Sequence, residues 1–225
     1  LDYVSYMISL LLFQTPHRLL LLLFYFALYV FFCSACNVFK TFDDYVEQFR
    51  KFVASITPGG VLVYNEEDAE VVKVVESAEN YFRKIPYHTP DYEIVNGIVN
   101  LKTDMGEIPL SVFGKHNLLN MEGARFICSQ LGIMEEEFYE AIMSFKGASK
   151  RLEKVERKDS GLLYKDFAHA PSKVKATVSA FAEQFSKTET FGFLELHTYS
   201  SLNPVFLEQY DHAMDGLDNA VVFYS

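Results

Sequence analysis

The spacing of apolar and polar residues divides the chain near residue 38. Residues 19–39 carry no charge, and the run "LLLLLFYFALYVFFC" is apolar almost throughout. After it, apolar residues recur every three or four positions or stand in short blocks bounded by glycine or proline, as in helices and buried strands. The longer part of the chain is therefore predicted to be an α/β structure.

The region up to residue 147 is predicted to mix helices with short strands. Thr41 is expected to cap the first helix, and turns are expected at Asn96-Gly97 and Met105-Gly106. The predicted elements are a helix at 41–56, a strand at 61–65, a helix at 68–78, two or three strands within 92–113, and helices at 117–131 and 135–145.

The region after residue 161 alternates regularly between strands and helices. Such alternation with short connections favours parallel pairing with right-handed crossovers. The charged stretch "KRLEKVERKDSG" before it indicates a domain junction. The predicted strands are 162–166, 191–196 and 220–225, and the predicted helices are 171–185 and 203–217.

Charge and cysteine content exclude some classes of protein. The formal net charge is −10, and the first forty residues hold only two bases and one acid. A body this acidic is not expected to bind nucleic acid, because such binding depends on neutralising phosphates. Three cysteines do not form a disulfide framework. Cys33 and Cys36 form a lone CxxC inside the apolar run, and Cys128 is expected in the core.

The apolar segment at residues 1–36 allows several interpretations. Residues 19–36 are long and apolar enough to span a membrane, or they could be the apolar part of an export signal ending at Cys36. His17 and Arg18 before the run would then place the body outside the cytoplasm. A third interpretation is that the segment is not native and comes from a shifted reading frame, and a fourth is a buried core helix.

Candidate chemistry begins in "FGKHNLLN". Asn117 and Asn120 are three residues apart on one predicted helix face beside His116, and a carboxamide both donates and accepts hydrogen bonds, as recognition of a purine edge requires. The structural alternative is that Asn117 is only a helix N-cap and that Asn120 is partly exposed. Arg151, in "FKGASKRLEK", could hold a phosphate through its guanidinium, although an arginine among other charges is commonly only solvated.

Two predicted strand ends carry further polar side chains. Asp166 and His169 follow the strand "LLYKD", and His197, Ser200 and Ser201 follow "FGFLEL". Open α/β sheets bind ligands at the carboxyl ends of their strands, where a carboxylate can accept from ribose hydroxyls. The structural alternative is that Asp166 caps a turn and His169 stabilises it.

Four segments in this order, "GKHNLLN", "FKGASKRLE", "YKDFAHAPSKV" and "LELHTYSSLN", resemble the Mur ligases, the ATP-dependent enzymes that build the peptidoglycan peptide. The resemblance runs from about Asn37 to Ser225 and is strongest to the branch that acts on UDP-N-acetylmuramate. It implies that residues 37–147 are the C-terminal part of a central ATPase domain. Residues 148–225 would be an incomplete Rossmann-like C-terminal domain with a parallel sheet.

The resemblance also implies roles for individual residues. His116, Asn117 and Asn120 would lie at the adenine of ATP, and Asp166 would hold the ribose. Arg151 would reach the terminal phosphates.

The other strand-end residues are assigned in the same way. His169, close by, would join Arg151 as a catalytic residue. His197, Ser200 and Ser201 would face the incoming peptide, and no metal ligand is implied within this chain.

The implied reaction joins an amino acid, or the tripeptide L-Ala-γ-D-Glu-meso-diaminopimelate, to UDP-N-acetylmuramate through an acyl phosphate, with ATP and Mg²⁺. The parent enzyme would be cytoplasmic. The sequence departs from the family in having no G-x-x-x-x-G-K-[ST] phosphate loop and no tryptophan. We therefore expect a fragment that is not a competent ligase by itself; the alternative is a membrane-anchored or exported binding module without catalysis.

Overall fold

The computed structural model of the protein describes residues 41–155, 161–196 and 204–224. The apolar segment 1–36 lies outside these residues. In chain order the elements are α1 (Phe42–Ala54), β1 (Val61–Asn65), α2 (Ala69–Glu76), β2 (Arg83–Tyr87), β3 (Tyr92–Val95), β4 (Ile98–Thr103), β5 (Gly106–Leu110), α3 (Lys115–Gln130), α4 (Glu135–Met143), β6 (Glu153–Val155), β7 (Leu163–Lys165), α5 (Pro171–Gln184), β8 (Phe191–Leu196), α6 (Pro204–Leu207) and β9 (Asn219–Tyr224).

In the described part of the chain, no helix has the length and apolar character needed to cross a membrane.

The chain forms two compact units. Of the described residues, the first unit comprises 41–89 and 119–135, and the second comprises 90–118, 136–155, 161–196 and 204–224. Helix α3 begins in the second unit and ends in the first. The predicted division of the chain between residues 147 and 148 stays a prediction.

The first unit opens with α1, whose start is fixed by a capping box. Thr41 Oγ1 accepts from the backbone N–H of Asp44, and Asp44 Oδ2 accepts from the backbone N–H of Thr41, both at 3.1 Å. Each residue thus satisfies a polar group of the other at the helix start. The predicted N-cap at Thr41 is confirmed.

The core of the first unit lies between α1 and a β-α-β motif. Strands β1 and β2 pair in parallel with Val61 opposite Arg83, and α2 connects them. Apolar side chains of α1, β1 and α2 pack together, and Val53, Leu62 and Val75 are almost fully buried. The predicted strand at 61–65 and helix at 68–78 are confirmed, the helix being slightly shorter.

The second unit begins with the antiparallel meander β3-β4-β5. Asn96 and Gly97 connect the first two strands and have φ of 52° and 75°. Positive φ at both central residues is what a type I′ hairpin turn requires, and Asn-Gly adopts it readily. The turn predicted at this dipeptide is confirmed.

The strand predicted at 162–166 pairs differently from the expectation. The strand that forms, β7, pairs antiparallel with β6, with Leu163 opposite Val155, and it does not pair with β8 within the described residues. A backbone hydrogen bond of 2.9 Å from Phe167 to the carbonyl of Lys150 extends this pairing. The prediction of a parallel partner was wrong, because β7 instead pairs with a strand close by in sequence.

Helix α5 and strands β8 and β9 follow the predicted pattern more closely. The strands pair in parallel, and Val174 and Val178 of α5 pack against Leu194 and Leu196 of β8. The alternate residues of β8 point the other way, and Phe193 is 71% exposed.

The helix predicted at 203–217 is much shorter than expected. Among the described residues 204–217, only α6 and a 3₁₀ turn at Glu208–Tyr210 form, because Asp211 has an extended ψ and His212 has a φ of 57°. These backbone conformations break the helical hydrogen-bond pattern.

Candidate functional site

The candidate site in the second unit is built around the start of α3. The carbonyl of Gly114 accepts from the backbone N–H groups of Asn117 and Leu118, so the helix begins before Asn117. Asn117 is therefore within the first turn and is not the N-cap. Its Nδ2 donates to the carbonyl of Phe113 at 2.9 Å, which fixes the carboxamide against the chain entering the helix.

Gly114 brings this turn into close contact with α5. Its φ is 90°, and a Cβ at this position would lie 2.6 Å from Cβ of Ala180 and 3.2 Å from Cε1 of His116. Only glycine combines this backbone conformation with so short an approach. The helix start is thus held directly against the surface of α5.

An aromatic cluster anchors the residue before this glycine. Phe113 is buried, and its ring makes edge contacts with Tyr164, Phe181 and Phe185 at centroid distances of 5.4, 5.6 and 5.7 Å. Edge-to-face geometry is favourable for aromatic rings. The cluster joins the start of α3 to β7 and α5.

Asp166 connects two loops of the second unit. Its Oδ2 accepts from the backbone N–H of Leu152 at 2.9 Å, and its Oδ1 accepts from that of Ala168 at 2.6 Å. The second bond closes a turn two residues on, which is a common role of aspartate. The interpretation of Asp166 as a turn cap is confirmed.

His116, Arg151 and Asp166 come from separate motifs, yet they lie close enough to interact electrostatically. Burial lowers the pKa of His116, the Asp166 carboxylate raises it, and the Arg151 guanidinium lowers it; the net effect is a lowered pKa. Among the described residues, the Arg151 guanidinium has no hydrogen bond or ion pair. A cation beside a neutral imidazole can receive an anionic group.

The remaining predicted site residues are placed less centrally. His169 Nδ1 lies 2.9 Å from the carbonyl oxygen of Phe167. This histidine therefore stabilises the turn that follows β7, which was the structural alternative to a role in ligand binding. Asn120 follows Asn117 in α3 but belongs to the first unit. His197, Ser200 and Ser201 lie outside the described residues.

Metal ligation finds no support in the part of the chain that the structure describes. No three His, Cys, Asp or Glu side chains lie close enough there to hold a metal ion. Cys128 is half-buried in α3, and burial raises the pKa of its thiol.

Sequence reasoning missed the residues that support the site. The glycine of "FGKHN" signalled a turn, and Phe181 and Phe185, four apart on a predicted helix, signalled a shared face. Nothing in the local sequence indicated that these rings would meet Phe113, because the contact joins positions about seventy residues apart.

Comparison with known proteins gives the chain a family context. No protein-family model matches it. The chain is 27% identical over 203 residues to the UDP-N-acetylmuramate–L-alanine ligase of Caldicellulosiruptor bescii, and 30% identical over 198 residues to that of Caldicellulosiruptor saccharolyticus. Each alignment covers 83% of this chain and 43% of the relative. The chain therefore spans less than half the length of the curated relatives it matches.

The fold agrees with this sequence similarity. The crystal structure of MurF ligase from Thermotoga maritima in complex with ADP superimposes with a TM-score of 0.63 at 16% identity, covering 82% of this chain and 44% of that one. The chain is thus homologous to part of the Mur ligases, the ATP-dependent ligases that build peptidoglycan. The two relatives compared above are both UDP-N-acetylmuramate–L-alanine ligases.

Proposed function

We propose that this chain carries the adenosine side of the nucleotide site of a Mur-type ligase. The observation that carries the proposal is the grouping of His116, Arg151 and Asp166, which come from three of the four family-like segments. Asn117 and His116 would lie at the adenine, and Arg151 would meet the phosphates. The parent reaction would join an amino acid or the L-Ala-γ-D-Glu-meso-diaminopimelate tripeptide to UDP-N-acetylmuramate.

Two of the described residues offer groups that suit a nucleotide. The guanidinium of Arg151 suits a phosphate, and the carboxamide Oδ1 of Asn117 can accept from an adenine amino group. When bound, ATP supplies the phosphoryl group that activates a carboxylate. Because the sequence has no G-x-x-x-x-G-K-[ST] loop, we propose that the chain binds nucleotide without completing the ligation.

Calorimetric titration of the chain with ADP and with adenosine tests the proposal. Both ligands are expected to bind, and Arg151→Gln should weaken ADP alone, because adenosine has no phosphate. Lys154→Gln, which removes a neighbouring exposed cation, is the matched control and should leave both affinities unchanged. If neither ADP nor adenosine binds, the proposed function is refuted.

A second assay tests competence. With ATP, UDP-N-acetylmuramate and either L-alanine or the tripeptide, the chain should release no phosphate and form no amide product. Turnover with either amine would contradict the proposal that the chain is incomplete as a ligase.

A further inference from the structure

The segment around Arg151 has a strained backbone. Lys150 and Leu152, the residues on either side, have φ of 55° and 46°. Left-handed conformations are unfavourable for residues with a Cβ, and a bulky leucine adopts them rarely. Two such residues flanking one arginine need specific interactions to persist.

The surrounding hydrogen bonds supply these interactions. Glu153 Oε2 accepts from the backbone N–H of Lys150 at 2.7 Å, and Phe167 donates its N–H to the carbonyl of Lys150 at 2.9 Å. Leu152 is held by Asp166, whose Oδ2 lies 2.9 Å from its backbone nitrogen. A hydrogen bond to a charged acceptor is stronger than one between neutral groups, so it can hold Leu152 in this conformation.

The fixed backbone contrasts with the side chain that it carries. The Arg151 N–H donates to the carbonyl of Ala148 at 3.1 Å, while the guanidinium has no hydrogen bond or ion pair in the part of the chain described. If Leu152 returned to negative φ, the chain direction at Arg151 would change and its guanidinium would move relative to His116.

We propose that Asp166 is a positioning residue: it fixes the Lys150–Leu152 turn through the backbone N–H of Leu152 and thereby places the Arg151 guanidinium for an anionic group of the ligand. This role rests on the proposed function and differs from the ribose contact that the family resemblance implies. Both carboxylate oxygens of Asp166 already accept from backbone groups, as a positioning role requires.

Amide hydrogen exchange tests the proposal without a ligand. In Asp166→Ala, protection of the Leu152 amide should fall about tenfold or more, while the Val178 amide in the core of α5 keeps its protection. The matched control is Asp218→Ala, which removes a carboxylate that accepts from the N–H of Thr190 at 2.8 Å. It should leave Leu152 unchanged. Asp166→Asn, which keeps one acceptor oxygen, serves if the alanine variant does not fold.

The position of the Arg151 guanidinium is tested by measuring the pKa of His116 in an NMR titration. In the wild-type background Arg151→Ala should raise the pKa of His116, because the nearby cation lowers it. In the Asp166→Ala background the same substitution should have little effect, because the cation is no longer held there. An equal rise in both backgrounds, with Leu152 still protected, would overturn the proposal.

Ligand titrations separate positioning from ribose contact. Asp166→Ala should weaken the binding of ADP and of 2′,3′-dideoxy-ADP equally, by about tenfold, and should leave the affinity for adenosine unchanged. In an Arg151→Gln background, Asp166→Ala should cause no further loss of ADP affinity. A loss that disappears with the dideoxy nucleotide would show a ribose contact, and a loss shared by adenosine would show a general structural effect; either contradicts the proposal. If the wild type binds no nucleotide, the proposed function fails, while hydrogen exchange and the His116 titration still decide the role of Asp166.

Discussion

At the scale of single residues, Lys150 offers a direct measure of backbone strain. Its side chain is exposed and its φ is 55°. Glycine adopts this conformation without the penalty that a Cβ imposes, so Lys150→Gly should be more stable than Lys150→Ala by about 1 kcal/mol. Both variants lose the same charge, so the comparison isolates the backbone. Urea unfolding measures the difference.

The ordinary preference should reverse at a neighbouring position. Lys154 lies in strand β6, where glycine is unfavourable. Lys154→Ala should therefore be more stable than Lys154→Gly. If Lys150→Ala were also more stable than Lys150→Gly, the result would contradict a left-handed conformation at Lys150.

His116 predicts a dependence of stability on pH. Its pKa is lowered in the folded protein, so the unfolded chain binds more protons as the pH falls below the ordinary value of 6.5. This contribution to stability is complete above pH 6.5 and is lost as the pH falls toward the folded pKa. The free energy of unfolding of the wild type should therefore fall relative to His116→Gln between pH 7.5 and pH 5. Parallel curves for the two proteins would exclude this contribution.

At the scale of elements, the contact between α3 and α5 depends on Gly114. Gly114→Ala should destabilise the protein by about 3 kcal/mol, because it adds strain at φ 90° to a clash with Ala180. Ala180→Gly removes the clash with Ala180 but leaves the strain and the 3.2 Å approach to Cε1 of His116, so Gly114→Ala should cost less, about 1–2 kcal/mol, in that background. Urea unfolding of the four proteins gives the coupling energy.

Gly97 provides the matched control for this cycle. It lies in the same unit with a φ of 75°, and a Cβ there would meet no atom within 4 Å. Gly97→Ala therefore reports the strain alone and should not couple to Ala180→Gly. Additive effects of Gly114→Ala and Ala180→Gly would show that the two helices do not touch at this point.

The sequence predicted most elements because their signals are local. The Thr41 cap, the Asn96-Gly97 turn and the blocks 61–65 and 191–196 are all read from adjacent residues, and all agree with the structure. The failures are at positions where remote contacts or backbone conformation decide. The pairing of β7 with β6, the left-handed Leu152 and the break at His212 have no signal in the apolar pattern. The same limit applies to the site: its motifs were visible, whereas the supporting rings around Phe113 were not.

At the scale of the whole molecule, the contacts of α5 bear on where the domain boundary lies. Residues 148–225 were predicted to form a separate domain, yet the second unit also includes residues 90–118. Tyr92 donates to Glu183 at 2.7 Å, and burial together with this bond raises the pKa of Tyr92 to about 12. Gln184 donates to the carbonyl of Gly97 at 2.7 Å.

These contacts predict that residues 148–225 are less stable when produced alone. Without residues 90–118, the end of α5 loses both hydrogen bonds and Phe181 loses the ring of Phe113. Hydrogen exchange should therefore be at least about tenfold faster in α5 of residues 148–225 than in α5 of the whole chain, because removal of a buried aromatic partner costs more than 1.4 kcal/mol. Residues 90–225 lack only the first part of the chain and are the control for truncation itself. Equal protection of α5 in residues 148–225 and in the whole chain would show that the predicted domain is stable by itself. The contacts with residues 90–118 would then not contribute to the stability of α5.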